Sequence, residues 1–151
     1  MNFKLFFHYI SYLQYPLMLV ALYFTVSPYL SGIVNIKENP NLIFEKLNNS
    51  LLFFGLGISF SSLQDTSKTQ NKFSKKIWEN PKKGRFVIIT LCLSILIYLI
   101  MGIIGFFSTK EGILKDLSVG LIVLALGMFG LLKAAVEMFE YNRIDKNNFK
   151  E

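Results

Sequence analysis

The chain reads as an all-α integral membrane protein, a four-transmembrane-helix bundle with a basic cytoplasmic loop between helices 2 and 3. Three features of the sequence predict this. Apolar residues make up 52% of it and the mean hydropathy is +0.44, more than a soluble domain carries. Those residues are gathered into long runs rather than scattered. The cations are gathered as well: seven of the 16 Lys and Arg fall between Gln64 and Phe86. With 151 residues there is room for one domain, and 1–151 is taken as a single membrane domain.

The first apolar segment covers 5–30 and holds no permanent charge, His8 being its one titratable cation. About 20 helical residues cross a hydrocarbon core of roughly 30 Å, so it is long enough to span. Lys4 ahead of an apolar stretch also fits the start of a secretory signal. The stretch is longer than a signal's apolar core and no small-residue cleavage site follows, so a retained helix is expected. Pro16 predicts a kink, and Pro28 and Gly32 mark the exit.

Asn39-Pro40-Asn41 is a helix start, with proline at an early position. The expected second helix covers 41–65, with Glu45 and Lys46 in its first turns at the outer interface. A re-entrant or surface-lying helix is the alternative for this segment, since it also carries Asn48, Asn49 and several serines.

The loop 66–85 is polar and basic. Within it, Phe73 and Ile77 are four apart, with Trp78 beside them and lysines around them. That pattern fits a short interfacial helix with its aromatics at headgroup depth, ended by Asn80-Pro81. Lys72, Lys75, Lys76, Trp78, Lys82, Lys83 and Arg85 are the expected contacts to anionic lipid headgroups. Nucleic acid is not an expected partner, because the cations sit between two apolar runs without an aromatic-studded sheet or recognition helix.

The third span, 86–107, is 22 residues without a charge. A short connection with Lys110, Glu111, Lys115 and Asp116 leads to the fourth, 117–139. The tail from Glu140 is polar and expected to fray. Excess Lys and Arg marks the cytoplasmic side. The middle loop has seven, against two in the first loop (Lys37, Lys46) and two in the third (Lys110, Lys115). Both termini are therefore expected in the cytoplasm. Lys outnumbers Arg 14 to 2, and Asn, Ile and Phe are plentiful. All four residue types have AT-rich codons, which points to a bacterial inner (cytoplasmic) membrane.

Residues able to do chemistry are few. There is no H-E-x-x-H, P-loop or G-x-G-x-x-G, and with one His and one Cys neither a metal site nor a bound cofactor is expected. Gly57-Ile58-Ser59, with His8 as base, faintly resembles the G-x-S core of intramembrane serine proteases. Phe60 stands where that core has a small residue, and Ser among small residues on a membrane helix ordinarily serves packing. No catalytic activity is expected.

Packing accounts for more of the pattern. Gly120, Gly127 and Ala134 recur every seven residues, with Gly130 nearby, so one side of the fourth helix permits close approach of a partner helix. Gly55, Ser59 and Ser62 share a face of the second helix, and Ser94, Tyr98, Gly102 and Gly105 one of the third. His8, Asp65, Lys133 and Glu137 are expected together as an inner-leaflet polar cluster, engaged mainly in structural pairing. The expected role is a non-catalytic accessory, assembly or scaffold subunit that contacts other membrane protein subunits or itself. A homo-oligomeric channel or small transporter is the alternative, and the apolar outer halves of helices 3 and 4 count against it.

Overall fold

The computed structural model describes residues 3–30, 41–64 and 72–147, and all regular structure among them is helical. Helices α1 (Phe3–Ser11) and α2 (Gln14–Leu30) form the first segment, followed by α3 (Asn41–Ser61) and the short α4 (Lys72–Glu79). Then come α5 (Pro81–Phe107), the single turn α6 (Ile113–Asp116), α7 (Ser118–Asn142) and a last turn, α8 (Ile144–Asn147). Three stretches are long and apolar enough to cross a membrane: Leu5–Leu30, Pro81–Phe107 and Ser118–Asn142.

The boundaries follow local chemistry. The kink expected at Pro16 falls earlier, as a break at Tyr12 and Leu13. Proline has no N–H to offer the Tyr12 carbonyl, which instead accepts from the Tyr15 N–H at 3.1 Å. Tyr12 and Leu13 likewise donate to carbonyls three residues back, Tyr9 at 3.1 Å and Ile10 at 3.0 Å, and the Ser11 hydroxyl covers the His8 carbonyl at 2.6 Å. Helix α3 stops at Ser61, with tightened turns at Leu63 and Gln64, and Asp65 lies outside the described residues.

Helix α5 begins five residues before the expected Phe86. Asn80 does more than end α4: its Oδ1 accepts from the N–H groups of Lys82 (3.0 Å) and Lys83 (3.2 Å), and Pro81 takes the first helical position. The tail also departs from expectation, because α7 continues to Asn142. There Arg143 Nη1 pairs with Glu140 at 2.9 Å and its guanidinium lies 5.6 Å from the Phe139 ring centre.

The long helices lie in a row, α2–α3–α7–α5. Helix α2 runs antiparallel to α3, bringing Gln14 and Met18 to Gly57 and Ala21 to Ser50. Helix α3 runs parallel to α7, with Asn48 at Gly120, Gly55 at Gly127 and Ser62 at Gly130. Helix α5 runs antiparallel to α7, with Gly84 at Phe139 and Gly102 at Ile122. A closed four-helix bundle would also bring α2 against α5. Among the described residues those two have no extensive contact, so the four long helices form an open row. Burial follows the order: 39% of the most apolar stretch of α7 is buried, against 11% in 5–30 and 11% in α5.

The start of α2, the end of α3, α4, the start of α5 and the end of α7 gather at one end of the row, here called the basic end.

Candidate functional site

The seam of small residues on α7 is occupied from within the chain. A Cβ added at Gly127 would fall on the Gly55 carbonyl, and one at Gly55 would lie 2.7 Å from both Cα and N of Leu124. At Gly120 an added Cβ would come 2.5 Å from the Asn48 carbonyl oxygen, and at Gly130 2.6 Å from the Ser62 hydroxyl. Backbones approach this closely only where at least one side of the contact carries no Cβ. Ala134 is buried too, and its neighbour Ala135 joins the cluster at the basic end. Gly120, Gly127 and Gly130 thus face α3, the first two buried and Gly130 half-buried.

Polar groups reinforce both sides of α3. The Asn48 Oδ1 accepts from the Gly120 N–H at 2.7 Å. Gly120 lies in the first turn of α7, where an N–H has no partner within its own helix, and Leu117 gives no side-chain cap. Asn48 therefore caps α7 from a different helix. On the other side, the Ser50 hydroxyl donates to the Ala21 carbonyl at 2.9 Å and lies 2.7 Å from the Thr25 hydroxyl. Phe24 and Phe53 stack beside them with ring centres 5.6 Å apart. In membrane helices such hydrogen bonds contribute on average about 0.6 kcal/mol each.

At the basic end the aromatics are placed differently from the sequence reading. Trp78 was expected at headgroup depth, yet it is only 9% exposed. It packs with Ala135 and Phe139, flanked by Ile77, Val87, Ile88, Leu91 and Met138. Its indole N–H donates to the Ser74 hydroxyl at 2.9 Å, which satisfies the one polar atom the ring brings inside. Gly84 leaves the space that the Phe139 ring fills. Trp78 is thus the anchor that clamps α4 across α5 and α7.

The lysines keep their expected exposure. Lys75, Lys76, Lys82, Lys83 and Arg85 are all exposed, with Lys75 3.6 Å from Glu79, and the Lys72 side chain lies outside the described residues. Lys82 and Lys83 line a groove of about 360 Å³ whose remaining walls are Ile77, Phe86 and Val87.

The polar residues grouped as an inner-leaflet cluster make local pairs. His8 Nε2 is 3.3 Å from the Tyr12 hydroxyl, one turn away. Lys133 and Glu137, also one turn apart, are 3.6 Å apart and largely exposed. The Ser59 hydroxyl donates to the Gly55 carbonyl at 3.0 Å within its own helix. Among the described residues no group of three or more His, Cys, Asp or Glu is arranged to hold a metal ion.

Asn48 and Trp78 are the structural residues that the sequence reading missed or misplaced. The one signal for Asn48 was a side-chain amide within a candidate span, and for the Trp78 corner it was Gly84 just ahead of the third span. Compared with protein-family models, curated proteins and solved structures, the chain finds no match.

Proposed function

We propose that the chain is a non-catalytic multi-pass protein of the bacterial cytoplasmic membrane, with four spans and both termini inside. In this reading it acts as an accessory, assembly or scaffold subunit of a membrane protein complex. The observation that carries the proposal is the open row. Helices α2 and α5 form its two edges with most of their apolar surface unburied, while the small-residue surface of α7 is consumed internally. A single layer of helices stabilised by its own glycine seams leaves two edges for neighbouring helices. Lipid tails cover such edges without cost, and a partner's helix competes with lipid through close packing and hydrogen bonds.

The count of four spans is supported by register. Helix α3 is less apolar than the other three long helices, but it runs beside α7 from Asn48–Gly120 to Ser62–Gly130. The contact covers ten residues of α7, which at 1.5 Å each give about 15 Å of shared depth. If α7 crosses the bilayer, most of α3 lies within the same slab. The parallel pairing also fits an alternating four-span topology, in which spans two and four run in the same direction. The assignment as non-catalytic is supported by the local pairing of Ser59 and His8, each with a neighbour on its own segment.

The test is the mass of the complex purified in mild detergent. A heteromer containing other membrane proteins is the expected result. A symmetric homo-oligomer of this chain alone would favour the channel or small-transporter alternative, and a monomer under conditions that preserve known complexes would remove the subunit reading.

A further inference from the structure

We infer that the groove between α4 and α5 is a binding site for one anionic phospholipid, with its phosphate at Lys82 and Lys83 and an acyl chain along Ile77, Phe86 and Val87. The inference rests on the membrane reading above and narrows it from a generally basic loop to one place. The groove, at about 360 Å³, is within the range of small-ligand sites, roughly 300–1,000 Å³. Its lining is almost wholly hydrocarbon, Lys82 and Lys83 contributing their methylene stems, while their exposed side chains carry two cations from the first turn of α5.

Three observations select this occupant. The first is charge complementarity. Lys82 and Lys83 have Arg85 one turn along on the same helix, and among the described residues no carboxylate lines the groove. The second is continuity. Phe86 is 71% exposed and begins a strip through Ile89 and Leu93 that runs down the outside of α5. A ligand with a charged head and a long apolar tail fits both the rim and the strip, whereas a soluble anion would leave the strip uncovered. The third is that the groove is held rigidly. Trp78 is clamped in the cluster with Phe139, and Ile77 and Val87 pack against that same cluster, so α4 forms a fixed wall. The α5 N–H groups of Lys82 and Lys83 are taken by Asn80, which leaves the two ammonium groups as the headgroup's partners.

Trp78 is the only tryptophan in the chain and lies beside the groove, so it reports on the site directly. The full-length protein is reconstituted into phosphatidylcholine vesicles containing either dibrominated phosphatidylglycerol or dibrominated phosphatidylcholine at equal mole fraction. Bromine on the acyl chain quenches the indole when that lipid occupies the groove. The anionic lipid is expected to bind about tenfold more tightly, two exposed cations together supplying roughly that factor. Lys82→Gln with Lys83→Gln should bring the two lipids to within about twofold of each other, while Lys75→Gln with Lys76→Gln should retain the preference. Equal quenching in the unmodified protein overturns the site. So does an equal loss of preference in both double variants, which would mean diffuse attraction to the whole basic end. Flotation separates this from the parent reading. Protein that resists alkaline carbonate extraction yet shows no preference retains its spans and lacks the site, whereas protein that is stripped from the vesicles refutes the membrane reading and the site together.

Discussion

Replacing Gly127 by alanine adds one methyl group at the point where α3 and α7 come closest. That methyl would fall on the Gly55 carbonyl, with Gly55 Cα only 3.2 Å away. Nothing there is the end of a flexible side chain, so relief requires the two helices to separate. Gly55 is itself packed so closely that a Cβ added there would lie 2.7 Å from the Leu124 backbone, which leaves little room for sideways escape. Overpacking of this kind costs about 1–3 kcal/mol. Separation also strains the Asn48–Gly120 hydrogen bond, two turns away, for about 0.6 kcal/mol more. Against this, alanine gains about 0.8–1 kcal/mol of helix propensity over glycine. The expected balance is a destabilisation of about 0.6–2.8 kcal/mol, which in a chain of this size lowers the melting temperature by roughly 1–10 °C. The assay is thermal or SDS-titrated unfolding of the purified protein in mild detergent, followed by helical circular dichroism. Two controls isolate the mechanism. Gly112→Ala meets nothing within 4 Å, and Leu126→Ala alters a side chain that is 56% exposed, so each should shift stability by no more than about 0.5 kcal/mol. A Gly127→Ala protein as stable as wild type, or more stable, would refute the close α3–α7 contact, since propensity alone would then decide the outcome.

Three further outcomes follow from other parts of the row. Reporter fusions at Lys76 and at the C-terminus are expected to read cytoplasm, and fusions near Glu38 and Glu111 the opposite side; agreement between Glu38 and Lys76 would mean that α3 does not span. Trp78→Ala should release α4, speeding tryptic cleavage at Lys75 and Lys76 by about tenfold or more before global unfolding; an unchanged cleavage rate would contradict the clamp. Asn48→Ala should leave the Gly120 N–H without its acceptor and cost about 1–3 kcal/mol. Asn49→Ala, turned about 100° around the helix, should cost less, and equal costs would deny the cross-helix cap.

The sequence made the long helices legible because a run of apolar residues is a local property. The spans at 86–107 and 117–139 needed only the absence of charge over 16 or more residues. Their starts were less legible. Asn80-Pro81 is equally a stop for one helix and a cap for the next, and only the 3.0 Å bond to the Lys82 N–H shows that it is both. The glycine seam was visible as a spacing of seven, but spacing does not name the partner helix. That required knowing that Gly55 sits opposite Gly127. Trp78 was misread because the lysines around it are neighbours in sequence, whereas Ala135 and Phe139 reach it only through the fold. The tail was expected to fray because it is polar; its first residues are held instead by Arg143 lying over Phe139 and pairing with Glu140, and 148–151 lie outside the described residues.

The polarity of α3 raised doubt about whether it spans, and the row gives that polarity a physical reason. In the proposed membrane setting, a helix at the edge of the row would face lipid over most of its circumference, where an unmatched amide or hydroxyl costs several kcal/mol. Helix α5 is such an edge, and its Thr90 and Ser94 hydroxyls turn back to their own helix, onto the Phe86 and Thr90 carbonyls at 2.9 Å each. Helix α3 is flanked on both sides. Asn48 faces α7 and Ser50 faces α2, and each finds a partner across the interface. A flanked helix therefore tolerates residues that lower its hydropathy. Segment 5–30, at the other edge, is lowered in a different way, by five exposed tyrosines, Tyr9, Tyr12, Tyr15, Tyr23 and Tyr29, of which Tyr9 and Tyr29 lie near its ends, where an aromatic ring with a polar tip suits a membrane interface. If this account holds, Ser50→Leu should destabilise the protein although it makes α3 more apolar, because it removes the bond to Ala21 and forces a larger side chain into a buried position. Ser61→Leu, at a half-buried position by the helix end, should be close to neutral. Both variants are read in the same detergent unfolding assay. A stabilising Ser50→Leu would mean that the hydropathy of α3 matters more than its contacts, and the flanked position of α3 in the row would be wrong.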